Sequence, residues 1–287
     1  MSPKPNAEQT KRAEALRALH SGPGALLLPN VWDVASARII EEAGFPAVAT
    51  SSAGIAFACG WPDGEKIDRD RMIGAVAGIA EAITLPVTAD LEARYGHDPE
   101  SAAQTAHDLI MAGGVGMNFE DATGDAGRPL EDVTLQLERI RAIREAGERL
   151  GVALVLNART DVYLLQVGDA AKRYDETLHR LSAFRDAGAD CVFVPGLRDG
   201  STIGRLVSDL HCPVNVLAGP GSLSVAELTA LGVRRISLGS GPMRAGLGLL
   251  RRLAEELKKS GTYAAMEGAP SHAELNALMK SNRKKEN

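Results

Sequence analysis

The stretch LPVTADLEARYGHDPESAAQTAHDLIMAGGVGMNFE, residues 85–120, decides the fold. It opens on the apolar run LPVTAD, closes on VGMNFE, and carries the helical pattern SAAQTAHDLIMAGG between them. Neither run alternates polar with apolar residues, so each reads as a strand buried on both faces, as in parallel sheets. Gly113 follows the helical pattern at the offset of a left-handed cap. The unit strand, helix, strand then recurs in both directions. Upstream lie ALLLPN from Ala25 and AVATSS from Ala47; downstream lie VALVLNA from Val152, CVFVPG from Cys191, VNVLAG from Val214 and RISLGS from Arg235. Further helical patterns start at Asp33, Asp68, Asp132 and Lys172, and Gly44, Gly147, Gly188 and Gly232 are expected to end helices as Gly113 does.

Eight such units, with no Pro-rich linker or low-complexity break, predict one (β/α)8 TIM barrel domain over residues 1–287. An open doubly wound sheet is the alternative, but no Gly-x-Gly-x-x-Gly follows the first strand. A helix at about residues 6–20 precedes the barrel, and GPMRAGLGLLRRLAEELKKSG from Gly241 makes its closing helix. A helical extension at about residues 271–281 exceeds what the barrel needs, so it either caps the barrel or packs on a neighbouring subunit.

With 45% hydrophobic and 24% charged residues, the chain has the composition of a folded globular protein rather than a disordered one. Its 37 acids outnumber 32 bases, and the one basic block is Arg283-Lys284-Lys285, read as a frayed tail, so nucleic acid is not an expected partner. Cys59, Cys191 and Cys212 are too widely spaced for a disulfide framework or a zinc site. No apolar signal core opens the sequence and no stretch is apolar enough to span a bilayer, so a cytoplasmic protein without a membrane partner is expected.

Barrels of this kind place their chemistry where strands run out into the following loops. The polar residues there are Asn30 and Asp33; Ser51, Ser52 and, further along, Asp63; Asp90 and Glu92; Glu120 and Asp121; Asn157, Arg159 and Asp161; Asn215; and the Gly239-Ser240-Gly241 turn. Asp90, Glu92, Glu120 and Asp121 crowd four carboxylates onto adjacent strands, with Asp63 able to fold over them. Like charges at close range raise one another's pKa, and a divalent cation relieves the conflict. An all-oxygen donor set with room left for water and substrate suits Mg²⁺, with Mn²⁺ as a substitute. The competing reading is that Asp33, Asp121 and Asp161 cap helices or pair with arginine.

Arg159 is suited to gripping a substrate carboxylate, or else to an ion pair with Asp161 or Glu120. The turn Ser51-Ser52-Ala53-Gly54 either presents backbone N–H groups to an anion or is a simple tight turn. Gly239-Ser240-Gly241 could cradle a phosphate. His97 is a base or an exposed loop residue, and Cys59 reads as a packed thiol.

Taken together, PNVWDVASARIIEEAGFPAVATSS, the acid in GWPDGE, TADLEARYG, NFED and NARTDVY resemble the isocitrate lyase and phosphoenolpyruvate mutase superfamily, in order and on the matching strands. The resemblance runs from about Leu28 to Gly246. It implies that Asp90 binds Mg²⁺ directly while Glu92, Glu120 and Asp63 hold its waters. It further implies that Ser51, Ser52 and Ala53 bind the substrate carboxylate and oxo oxygen, and that Arg159 neutralises the carboxylate. Members act on small 2-oxo or 2-hydroxy acids through an enolate-like oxyanion, and pair into homotetramers by exchanging their last helix; a homotetramer or homodimer is expected here.

The departure lies after strand 4. Lyases of the superfamily carry a Lys-Lys-Cys-Gly-His or Lys-Arg-Cys-Gly-His stretch there, and phosphoenolpyruvate mutases a lysine and an asparagine. This chain has DATGDAGRPL from Asp121, with no Cys, Lys, His or Asn. The stretch reads as a mobile lid on which Arg128 is the one group able to bind a distal carboxylate. A carbon–carbon lyase or decarboxylase acting on a 2-oxo or 2-hydroxy dicarboxylate is therefore expected. The alternatives are a phosphonate enzyme of the mutase or phosphonopyruvate hydrolase type, and a 2-oxo acid-binding protein with little catalysis.

Overall fold

A computed structural model describes Pro5, residues 7–92 and residues 95–280. Eight parallel strands close into a barrel. The first, β1, comprises Leu26–Leu28 and Asn30–Val31, and is followed by β2 (Val48–Thr50), β3 (Val87–Asp90), β4 (Gly116–Glu120), β5 (Val155–Arg159), β6 (Cys191–Phe193), β7 (Val214–Leu217) and β8 (Arg235–Ser237). Each pairs with its neighbour in sequence order. Closure happens at β1, whose first half pairs with β8 (Leu26 to Arg235, Leu28 to Ser237) and whose second half pairs with β2 (Asn30 to Ala49).

Pro29 divides the two halves because it has no N–H to give to a ladder. The Asn30 side chain spans the seam instead. Its Nδ2 donates to the Thr50 carbonyl at 2.8 Å, and its Oδ1 accepts from the N–H groups of Leu238 (2.8 Å) and Gly239 (2.9 Å). The Gly239 N–H is thereby engaged within the protein.

Helices surround the sheet, and five of those described open on an acidic cap. Asp33, Asp68, Asp98, Asp132 and Asp199 each accept a first-turn N–H, at α2 (Val34–Glu42), α4 (Arg69–Ala82), α5 (Pro99–Met111), α6 (Val133–Leu150) and α8 (Gly200–Leu210). Gly44, Gly113, Gly188 and Gly232 take positive φ at helix ends, as expected from the sequence. Gly147 does not, and α6 runs on to Leu150 before Gly151 caps it at φ 70. Close approach explains the glycine at 147: a Cβ there would stand 2.8 Å from the carbonyl oxygen of Val152, where the chain turns back. Between these lie α3 (Ser52–Ala58) and α7 (Arg173–Asp186), and α9 (Val225–Ala230) follows α8.

The bottom of the barrel is closed by α1 (Ala7–Leu19), which buries Ala13 and Leu16. Gln9 Nε2 donates to the carbonyls of Ile110 and Gly114 at 2.7 and 3.1 Å, and Arg17 pairs with Asp190, which also takes Arg144. At the other end of the chain α10 (Gly241–Ser260) buries Met243 alone, leaving Leu247, Leu249, Leu250 and Leu257 exposed. The helix after it, α11 (His272–Lys280), lies on α2, where Arg38 Nη1 donates to the Leu278 carbonyl at 3.1 Å. The basic stretch Arg283-Lys284-Lys285 lies outside the described residues.

Candidate active site

The ends of β3, β4 and β5 bring Asp90, Glu120 and Arg159 to one mouth. Asp90 Oδ2 accepts from Ser52 Oγ at 2.8 Å and from the Ser52 N–H at 3.2 Å. Its Oδ1 faces Asn118 Nδ2 at 3.5 Å, and its own N–H goes to Thr50 Oγ1 at 3.0 Å. Ser52 opens α3, a helix capped by Ser51, whose Oγ accepts the Gly54 N–H at 3.1 Å. The short helix thus turns both Ser52 donors onto the Asp90 carboxylate, with Ser51 and Ala53 flanking Ser52 in the same turn.

Arg159 makes both ion pairs that its sequence context offered. Nη1 stands 2.6 Å from Glu120 Oε2, while Nε and Nη2 hold the two oxygens of Asp161 at 2.6 and 2.9 Å. Burial opposes the guanidinium charge, but Glu120 and Asp161 outweigh it and raise the Arg159 pKa further. Burial likewise lifts the Glu120 carboxyl above its ordinary value, against the pull of Arg159. The bidentate clasp by Asp161 fixes the plane of the guanidinium, leaving part of its donor fork for a ligand.

The expected crowd of four carboxylates does not gather at one point. Asp121 turns away from the mouth and accepts from Thr160 Oγ1 (2.7 Å), the Asp161 N–H (3.0 Å) and Arg180 Nη1 (3.3 Å). It ties the end of β4 to β5 and α7, with burial pushing its pKa up to about 6 against those donors. Glu120 is drawn to Arg159. It stays close enough to Asp90 and Glu92 for their charges to raise its pKa, so Asp90, Glu92 and Glu120 remain crowded, with Asp63 and Glu65 beside Glu92. Glu92 is buried with φ 58. Burial, then Asp90, Asp63 and Glu65, push its carboxyl up to about 8, and its Oε1 has no hydrogen-bond partner among the described residues.

Asp63 is exposed on the segment after α3, and its pKa is raised, chiefly by partial desolvation and also by Asp90 and Asp161, while the Gly64 N–H and Arg159 oppose the shift. Glu65 sits in the same GWPDGE segment as Asp63 and went unnoticed in the sequence; its signal was one further acid two residues on.

Among the described residues, no three His, Cys, Asp or Glu side chains converge as a ready-made metal cage. The donors nevertheless fit a hard divalent ion held by one carboxylate and water. They are all oxygens, and a buried Glu92 with an unpartnered oxygen beside Asp90 is a group that positive charge would relieve.

The remaining residues are placed less centrally. Asn215 is fully buried on β7, with Oδ1 accepting from Ser237 Oγ at 3.3 Å. DATGDAGRPL forms a two-stranded antiparallel hairpin, Ala122–Asp125 with Arg128–Leu130, in place of a loop. Thr123 Oγ1 bonds the Arg128 carbonyl across it, and Asp125 Oδ1 accepts the Gly127 N–H at 2.8 Å. Arg128 is exposed and pairs at 3.2 Å with the buried carboxylate of Glu131. Cys59 ends α3 on its solvent side and is exposed, contrary to the packed thiol expected, because the buried face of this short helix stops at Ala56. His97 is exposed.

Sequence reasoning passed over Arg235. It is fully buried on β8, and its Nη2 donates to Asn118 Oδ1 at 3.1 Å. Burial lowers its pKa to about 10, which leaves it protonated at neutral pH.

Known proteins share this framework. A provisionally named lyase/mutase from Burkholderia cenocepacia J2315 superposes with a TM-score of 0.90 at 41% identity, over 96% of this chain and 98% of its own. An uncharacterised Mycobacterium tuberculosis protein is 36% identical over 87% of this chain and 93% of its own length. An oxaloacetate decarboxylase from Bradyrhizobium diazoefficiens is 27% identical over 92% of this chain and 91% of its own. The family model described as phosphoenolpyruvate phosphomutase matches residues 16–258. That match takes in every strand of the barrel, from within α1 to within α10, and the chain belongs to the phosphoenolpyruvate mutase family.

Proposed function

We propose that the chain is a Mg²⁺-dependent carbon–carbon lyase, and specifically a decarboxylase of a small 2-oxo dicarboxylic acid such as oxaloacetate. The observation that carries this reading is the hairpin after β4. It stands where superfamily lyases carry an acid/base cysteine, and its one base, Arg128, is held by Glu131. Decarboxylation makes little demand on that place. The bond from C3 to the distal carboxylate breaks and CO₂ leaves without a proton. The electron pair passes into the C2–C3 bond as the oxo group becomes an enolate oxyanion, and C3 later takes a proton from water. Retro-aldol cleavage would also need a base for a hydroxyl.

Asp90 would hold the ion directly, with Glu92, Glu120 and Asp63 reaching it through water. When bound, Mg²⁺ supplies positive charge where the 2-oxo oxygen becomes anionic. Arg159, its plane set by Asp161, orients the substrate carboxylate, and the first turn of α3, residues 51–53, lines the oxo edge. Asp63, on an exposed segment beside Asp90, is placed to close over the substrate and exclude water. Asn215 shapes the floor below. The phosphonate alternative has less support, because the hairpin has no lysine and the Gly239 N–H, which a phosphate cradle after β8 would use, is given to Asn30.

The test is to offer oxaloacetate, 2-methylisocitrate, 2,3-dimethylmalate and phosphonopyruvate with Mg²⁺ and after chelation. Pyruvate formed from oxaloacetate above the background of an Asp90→Ala variant supports the reading. Cleavage of 2-methylisocitrate in its place would reassign the chain to retro-aldol chemistry. A 2-oxo acid that raises Tm without being consumed would make it a binding protein.

For Arg128 the ion pair sets the expectation. Its guanidinium is engaged by the Glu131 carboxylate rather than offered to a substrate, so Arg128→Ala should change kcat and KM little on a dicarboxylate and on its monocarboxylate analogue alike. A selective rise in KM for the dicarboxylate would restore Arg128 as a substrate ligand.

The partner we propose is a second copy of this chain, seated on α10. A 20-residue helix that buries Met243 and leaves four leucines in water has an apolar face to cover, and α11 is already engaged with α2. The assembly is expected to be a homotetramer or a homodimer. Leu247→Glu combined with Leu250→Glu should reduce the particle to monomers by light scattering while the circular dichroism of the barrel persists. An unchanged mass would remove α10 from the interface. No helix among the described residues is long and apolar enough to cross a membrane.

A further inference from the structure

Below the mouth the barrel interior is polar, where barrels of this type are filled mainly by branched apolar side chains. Asn118 on β4, Asn157 on β5, Asn215 on β7 and Arg235 on β8 are all buried there. Strands 4 and 8 stand opposite each other in an eight-stranded ring, so the bond from Arg235 Nη2 to Asn118 Oδ1, 3.1 Å, crosses the interior. It is the one hydrogen bond described for this guanidinium, whose Nε and Nη1 have no partner among the described residues. A buried cation held so sparsely is costly to the fold, and replacing such groups by apolar ones is often neutral or stabilising.

What the arrangement secures is the orientation of one amide. Asn118 Oδ1 receives two donors, Arg235 Nη2 and Asn157 Nδ2 at 2.7 Å. Two donors on one end define that end as the oxygen, and the amino end is left facing Asp90 Oδ1 at 3.5 Å. Ser52 holds the other Asp90 oxygen. Were the Asn118 amide to rotate by half a turn, its oxygen would face the Asp90 carboxylate and repel it.

We propose that Arg235 is a positioning residue, which acts across the barrel through Asn118 to aim the Asp90 carboxylate at the ion of the candidate site. The inference rests on Asp90 being the direct ligand. Partners that orient a metal-binding group typically cost 10- to 100-fold in metal affinity when removed. Arg235→Met is accordingly expected to weaken Mn²⁺ binding, read by calorimetry on the whole protein, by roughly tenfold, with Tm unchanged or raised. A role in simple charge repulsion would give the opposite sign, because removing a nearby cation would tighten Mn²⁺ binding.

The deciding measurement is a double-mutant cycle with Asn118→Ala. If Arg235 acts through Asn118, its replacement has no further effect in that background. An equal loss in both backgrounds, or no loss in the wild-type background, overturns the proposal. Should the methionine variant fail to fold, Arg235→Lys keeps the charge on a shorter arm and is taken through the same cycle. It should lose affinity where Asn118 is present and none where it is absent, and full wild-type affinity with Asn118 present would be equally fatal. Asp90→Ala separates the underlying assignment, since Mn²⁺ bound at wild-type strength in that variant would refute the site itself, whatever Arg235 does.

Discussion

Asp90→Ala is expected to lower kcat/KM on the decarboxylation substrate on the order of a thousandfold, the scale of losing a preorganised charge stabiliser in an acyl-transfer site. It should do so without unfolding the barrel. The side chain is held by two donors from Ser52 and a long contact from Asn118, and its removal also relieves Glu92, whose carboxyl Asp90 helps to push upward. Tm should therefore stay within a few degrees of the parent. Residual activity above about a tenth of the parent, or equal parental activity in excess chelator, would refute the assignment.

The second large effect concerns stability. Asn30→Ala should destabilise the barrel by on the order of 2–3 kcal/mol, since leaving a polar group without its partner costs about 1–3 kcal/mol where water cannot replace it. Three backbone groups lose their partner at once: the Thr50 carbonyl and the N–H groups of Leu238 and Gly239. The latter two are only partly buried, which keeps the figure at the lower end. Urea unfolding measures it. A loss below about 0.5 kcal/mol would mean that the seam at Pro29 holds without its side-chain bridge.

The strands were legible because a parallel barrel buries both faces of each of them, and LPVTAD or VGMNFE has no polar face to confuse the reading. Helix starts were legible through Asp33, Asp68 and Asp132, whose carboxylates cap the helices that follow. The end of α6 was not, since a glycine needed for close approach to Val152 looks in sequence like a glycine needed for positive φ. The hairpin was missed because Thr123, Gly124, Asp125 and Gly127 are turn formers whether or not their flanks pair.

At the site, the residues brought to the mouth were legible from their positions at strand ends. A divalent ion and a carboxylate grip by Arg159 were read from residue chemistry, whereas the finer roles proposed for Asp90, Glu92, Glu120 and Asp63 came from the resemblance. Arg235 was hidden by its neighbour: Arg234 and Arg235 are adjacent and alike, and only the alternation of β8 separates them. Arg234 reaches the Gly22 carbonyl at 3.0 Å near the barrel's foot, whereas Arg235 crosses the interior.

The plug at the foot of the barrel has a consequence for biosynthesis. Arg17 of α1 pairs with Asp190, 173 residues later in the chain. At roughly 5–20 residues per second, α1 must wait about 10 to 35 seconds for that partner to be synthesised. It waits as a mostly polar helix, burying Ala13 and Leu16 and little else even when docked. A nascent chain with α1 undocked thus offers little for other chains to stick to, while the ring itself stays open until β8 has emerged to pair with β1.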